Sequence, residues 1–161
     1  PSLEMCGATA LQQANTIASF STQAYVATYG DLFQQWVFWA PGNAGEVMDY
    51  VHANFGCAES SYPGISDNTM LLSPFPRDVP GEQPFARQYT VNFTNPLYSP
   101  VSGNVVITRV GDFIIAMAQI AYRPVEPALT LMRIDMAIEL LQSPDIQITN
   151  TTAAPVGTPA S

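Results

Sequence analysis

The spacing of apolar residues changes period several times along the chain, and each change predicts an element. In "SLEMCGATALQQANTIASF", Leu3, Cys6, Ala10, Ala14 and Ile17 recur every three or four residues, the period of a helix. "STQAYVATYGD" is rich in Thr, Tyr and Val and predicts a strand, closed by the turn signal Gly30-Asp31. "LFQQWVFWA" alternates. It predicts a second strand with Trp36 and Phe38 on one side and Gln35, Val37 and Trp39 on the other. Pro41-Gly42-Asn43 breaks this strand. From Ala44 to Phe55 the period becomes helical again: Val47, Tyr50, Val51 and Phe55 share one side, while Glu46, Asp49 and His52 share the other. Gly56 suits the end of that helix.

Residues 60–86 are rich in Pro, Gly, Ser and Asp. "NTMLLSPF" predicts a short strand within them, and "PRDVPGEQPF" a long loop of the kind that is often functional or mobile. "ARQYTVNF" predicts a strand and "TNPLYSPVSG" a second loop. "NVVITRVGDFIIAMAQIAY" is the clearest hairpin, with its turn at Val110-Gly111. Its second arm is apolar on both sides, which predicts a central strand covered from above and below. Pro124 to Leu141 predicts a last helix, with Pro124 and Pro127 in its first turn and Ser143-Pro144 ending it. Strands joined by short turns and interspersed with helices predict an α+β domain over residues 1–149. The expected form is an antiparallel sheet of about five strands with two or three helices packed mainly on one face. Residues 150–161 form a Thr/Ala/Pro-rich tail without a large apolar anchor.

Composition narrows the partners. The chain has 161 residues, 47% apolar and only 11% charged, against about a quarter charged in an average soluble domain. There is no lysine, and five arginines face thirteen carboxylates for a net charge of -8. That excludes a nucleic-acid surface, which needs clustered cations, and disfavours docking on anionic lipid. No apolar run reaches the ~18–20 residues of a membrane helix, so the sequence as given is not expected to span a membrane. Cys6 and Cys57 are too far apart for a short zinc or CxxC pattern. They are expected to form one disulfide, which implies an oxidising compartment. The start at Pro1 fits a chain whose export signal or lipid anchor has been removed. The expected location is therefore extracellular or at the cell surface.

Candidate chemistry is sparse. Glu46, Asp49 and His52 recur at every third position, and a His and a carboxylate one turn apart can share a cation. Their place opposite the apolar side of the helix marks them instead as an exposed polar face. His52 is the only histidine and no GxSxG is present, so a hydrolase triad lacks its parts. The absence of lysine removes Schiff bases and the P-loop. No catalytic or metal-binding residue and no cofactor is expected. Asn92-Phe93-Thr94 and Asn150-Thr151-Thr152 match the glycosylation sequon. Trp36, Phe38, Trp39, Phe85, Tyr89 and Tyr98 are candidates for a ligand or partner surface, should helices leave one face of the sheet open.

"WVFWAPGNAGEVMDYVHANFGCAES" and "GNVVITRVGDFIIAMAQIAYRPVEPALTLMRIDMAIELL" resemble segments of the mycobacterial PknH-like extracellular sensor domain family. In that family a strand leads through a turn into a helix ending at Cys-Ala, and a strand pair precedes the last helix. The resemblance implies an exported α+β domain, tethered to the cell surface, that binds a ligand in a cleft. This chain departs from it in having cysteines for one disulfide where the family usually has two, and Phe55 where the family has tryptophan. Its Pro-rich middle has no counterpart there. The resulting expectation is a non-catalytic secreted or cell-surface binding or sensor-like module with a protein partner, a small ligand or a second copy as its target. The alternative is a structural subunit of an extracellular assembly, such as a filament, a surface layer or the periphery of a membrane complex.

Overall fold

The computed structural model describes residues 4–9, 18–26, 30–61 and 67–143. In chain order the elements are β1 (Glu4–Met5), β2 (Ala8–Thr9), β3 (Ala18–Val26), β4 (Asp31–Trp39), α1 (Ala44–Asn54), β5 (Glu59–Ser60), β6 (Asn68–Pro74), β7 (Glu82–Phe93), β8 (Val101–Val110), β9 (Phe113–Ala121) and α2 (Pro127–Gln142). The protein is an α+β fold. One antiparallel sheet runs β3-β4-β9-β8-β7-β6-β5. Its six main strands are 7 to 12 residues long, and β5 adds a 2-residue edge. The sheet is wider than the roughly five strands expected from the sequence.

The strands with the most continuous apolar sequence lie inside. β8 and β9 join through the two-residue turn Gly111-Asp112 and pair along their length. Val105, Ile107, Ile114 and Ala116 point to one side, and Val106, Ile115 and Met117 to the other. Both sets are buried. The first set packs with Trp36, Phe38, Phe85, Tyr89, Val91 and the α1 residues Val47, Met48, Val51 and Phe55. The second packs with Phe33 and the α2 residues Ile134 and Ala137. The two helices therefore cover opposite faces, which corrects the expectation that helices pack mainly on one. Apolar periodicity shows that a helix has a buried side, but not which sheet face receives it.

The N-terminal helix expected over residues 2–20 is also corrected. Residues 4–9 form a hairpin, Ala18 to Phe20 already belong to β3, and residues 10–17 lie outside the described residues. Cys6 and Gly7 take φ of +58° and +72°, the left-handed pair that a two-residue hairpin turn requires. Cys6 is disulfide-bonded to Cys57, with Cα atoms 5.8 Å apart. The bond ties this hairpin to the segment that leaves α1, and it seats Met5 in the α1-side core. The C-terminal tail at 150–161 and Asn150 lie outside the described residues. No helix among the described residues is long and apolar enough to cross a membrane.

Candidate functional site

The two helices differ in what they turn outward. α1 exposes Glu46, Asp49, His52, Ala53 and Asn54, the polar side that its sequence pattern predicts. α2 begins at Pro127, whose fixed φ and missing N–H suit a first helical turn. It buries Thr130, Ile134 and Ala137 against the sheet, with Leu129, Ile138 and Leu141 half-buried beside them. Its opposite side is also apolar. Met132, Met136 and Leu140 are 50%, 55% and 60% exposed. A four-residue spacing stacks them in one stripe along the helix.

A groove runs beside this stripe, and its far wall is the segment 75–82. Phe75 and Val79 pack on the α2-side cluster, and Thr108 Oγ1 donates to the Pro80 carbonyl at 2.8 Å. Gly81 has φ +98°, and a Cβ there would lie 2.2 Å from Thr108 Oγ1, so only glycine lets the wall close this tightly. One hollow of about 390 Å³ is lined by Arg77, Leu131, Met132, Asp135, Met136 and Glu139 among others. A second, of about 310 Å³, is lined by Gly81, Glu82, Arg109, Asp135, Ile138 and Glu139 among others. Asp135 and Glu139 border both, so the hollows form one acidic flank of the helix.

The arginines leave that flank largely uncompensated. Arg109 pairs with Glu82, whose other oxygen accepts from Gly111 N at 3.0 Å. Arg123 pairs with the buried Asp31 at 2.9 Å. The guanidinium groups of Arg87 and Arg133 lie 4.8 and 4.0 Å from the ring centres of Phe85 and Phe33. Only Arg77 faces the groove without such an engagement among the described residues. Asp135 and Glu139 form no ion pair there either.

Beneath α2 a line of polar side chains fixes the helix on the sheet. Gln119 and Asn104 are Cα partners on β9 and β8. Gln119 donates to Asp31 Oδ2 at 3.0 Å and accepts from Thr130 Oγ1 at 2.5 Å. Asn104 donates to Thr130 Oγ1 at 2.9 Å, and Gln88 donates to Asn104 Oδ1 at 3.2 Å. Asp31, Asn104, Gln119 and Thr130 are all at most 2% exposed, where an unmade hydrogen bond is costly. The network therefore sets the axial position of α2, and with it the shape of the groove. The sequence carried a signal for it in two amides interrupting apolar strands at matching register.

The proposed aromatic surface is not assembled. Trp36, Phe38, Phe85 and Tyr89 are 3–7% exposed, in the core beneath α1. Trp39 is half-buried, and its Cα register places it on the opposite sheet face from Trp36 and Phe38. Tyr98 is 60% exposed on the β7–β8 loop, against Phe93. That surface required one sheet face to stay open, and α1 covers the face that carries Trp36, Phe38, Phe85 and Tyr89. Glu46, Asp49 and His52 are exposed. Two of them contact a β-bulge at the start of β7: Gln83 Nε2 donates to Asp49 Oδ1 at 3.0 Å, and His52 Nε2 lies 3.1 Å from the Gln83 carbonyl. Gln83 has φ +49°, so these bonds hold a left-handed residue in place. Asn92 is exposed on β7. Among the described residues no group of three His, Cys, Asp or Glu side chains is arranged to hold a metal ion.

No family model, no curated protein and no solved structure matches the chain. The α2 stripe and its flanking groove are thus read from geometry alone.

Proposed function

We propose that the protein is a non-catalytic binding module, exported or held at the cell surface, whose docking surface is the outer side of α2. The observation that carries this reading is the stripe Met132, Met136 and Leu140, exposed beside a groove on a helix that is already fully seated on the sheet. Methionine suits a docking surface because its flexible, polarisable side chain adapts to varied partners. A groove running along a helix fits the helix-in-groove mode of recognition. Export is supported by the Cys6–Cys57 disulfide, a bond that persists in oxidising compartments. The sequence resemblance to PknH-like extracellular sensor domains supports the same class.

Methyl NMR on [13C-methyl]methionine protein tests the reading, because the chain has six methionines. Met5, Met48, Met70 and Met117 are buried and serve as internal controls. Titration with a panel of basic, neutral and acidic amphipathic peptides is expected to shift the Met132 and Met136 signals and leave the other four in place. No shift at Met132 or Met136 with any member of the panel contradicts the reading.

A second reading, a structural subunit of an extracellular assembly, is favoured by β3. This strand is 9 residues long, lies at the end of the sheet and contains neither charge nor proline, features by which natural edges avoid pairing with other chains. Light scattering on a size-exclusion column distinguishes the two. A monomer at all concentrations removes the assembly reading, and concentration-dependent growth supports it.

A further inference from the structure

We infer that the occupant of the α2 groove is a basic amphipathic helix of another protein, with its apolar side on Met132, Met136 and Leu140 and its cations against Asp135 and Glu139. The inference rests on the docking reading above and adds the chemistry of the partner. Three observations carry it.

The first is shape. The apolar stripe spans residues 132–140 and is bordered by two hollows that share Asp135 and Glu139. An elongated apolar ridge with a charged margin matches one face of a helix, with anchors at three- and four-residue spacing. It does not match a compact small molecule, which is enclosed on most sides.

The second is charge. Asp135 and Glu139 are four residues apart on one flank, a like-charged pair that weakens an isolated helix. No cation among the described residues pairs with either. A partner's lysine or arginine would relieve that repulsion and add attraction in a partly desolvated groove.

The third is the chain's own poverty in cations. Four of the five arginines, at positions 87, 109, 123 and 133, are engaged by their own neighbours, only Arg77 is left at the groove, there is no lysine, and the net charge is -8. Residues 1–3, 10–17, 27–29, 62–66 and 144–161 contain no Arg or Lys, so none of them can supply a cationic side chain to the flank. A second copy of the chain would bring the same acidic flank and a second net negative charge, and like-charge juxtaposition opposes binding. Arg77 on the far wall is the one cation of this chain that borders the flank unengaged, and it pairs with neither carboxylate, so cations that complement both come from a different protein.

The test uses two synthetic peptides of 16 residues, the length of α2, with leucines at identical helical spacing. One carries lysine and the other glutamate at its polar positions. Binding is read by the Met132 and Met136 methyl shifts and by calorimetry. The lysine peptide is expected to bind with a Kd on the order of 10 μM, weakened several-fold by raising the salt from low to high ionic strength. The glutamate peptide is expected to bind at least about tenfold more weakly. The double variant Asp135→Asn/Glu139→Gln is expected to weaken the lysine peptide by about fivefold, the scale of two exposed charge pairs, and to flatten its salt dependence. Both side chains are exposed, so an unchanged denaturation midpoint verifies the fold of that variant. If the glutamate peptide binds as well, or the double variant binds the lysine peptide unchanged, the inference of a basic partner is overturned while the docking reading stands. If neither peptide nor any other member of the panel moves the two methyl signals, both fail together.

Discussion

The α1 side of the sheet carries the larger buried core and the α2 side the smaller, and the two finish their outer surfaces differently. α1 turns Glu46, Asp49 and His52 to solvent and is stapled nearby by Cys6–Cys57. α2 turns Met132, Met136 and Leu140 outward and is pinned from below by Gln119, Asn104 and Thr130. A helix needs one apolar side to fold onto a sheet. The second apolar side of α2 adds nothing to that packing and leaves methionine and leucine half in water. The contrast separates residues that build the fold from residues free to meet something else.

The comparison can be broken first at the staple. Replacing Cys6 and Cys57 by serine is expected to lower stability by roughly 4 kcal/mol in the chain-entropy account of a loop this long, read as a lower urea midpoint. A loss near zero would mean that the hairpin is dispensable to the α1 side. The next largest effect contrasts two methionines. Met48 is 0% exposed and Met136 is 55% exposed. Met48→Ala is expected to cost about 3 kcal/mol and Met136→Ala less than about 0.5 kcal/mol, each from chemical denaturation. Equal costs would erase the distinction between the two helices. Gln119→Leu, which takes a hydrogen-bond partner from Thr130 and from the buried Asp31, is expected to cost on the order of 2 kcal/mol. It should also speed hydrogen exchange in α2 more than in α1. The triple change Glu46→Gln, Asp49→Asn and His52→Gln is expected to cost less than about 1 kcal/mol, because the bonds to Gln83 that it alters are exposed. Binding at α2 should be unaffected by it.

Much of this arrangement was legible in the sequence. The alternation in "LFQQWVFWA" placed Trp36 and Phe38 together and Val37 and Trp39 opposite, as β4 does. The run of Phe113 to Ala121, apolar on both sides apart from Gln119, marked a strand buried on both faces. Both long helices were legible, α1 from its period and α2 from the prolines at its start and Ser143-Pro144 at its end. What failed has physical causes. Short apolar residues at helical spacing near the N-terminus outweighed Gly7, although a mid-helix glycine costs about 1 kcal/mol and the chain there turns back as a hairpin. β7 starts at Glu82 inside a stretch read as loop, since Pro84 is accommodated beside a bulge. The candidate surface was sought among aromatics because large rings dominate interfaces. A strand's exposed side, however, is decided by what packs over it, and α1 lands on Trp36, Phe38, Phe85 and Tyr89. The α2 stripe was present in the sequence as an apolar residue at every fourth position from 132 to 140. It was hidden because apolar residues fall on both sides of the helix, with Asp135 and Glu139 between them, so the period does not show which apolar side is buried.

The central claim is that the outer stripe of α2 serves binding and not folding. The most direct measurement is the urea unfolding free energy of the triple variant Met132→Gln, Met136→Gln and Leu140→Gln. The account predicts a value within about 0.5 kcal/mol of the unsubstituted protein, together with loss of the calorimetric heat of binding the lysine peptide. A destabilisation of about 2 kcal/mol or more would contradict it, since it would show that these side chains already stabilise the fold by burial within their own chain.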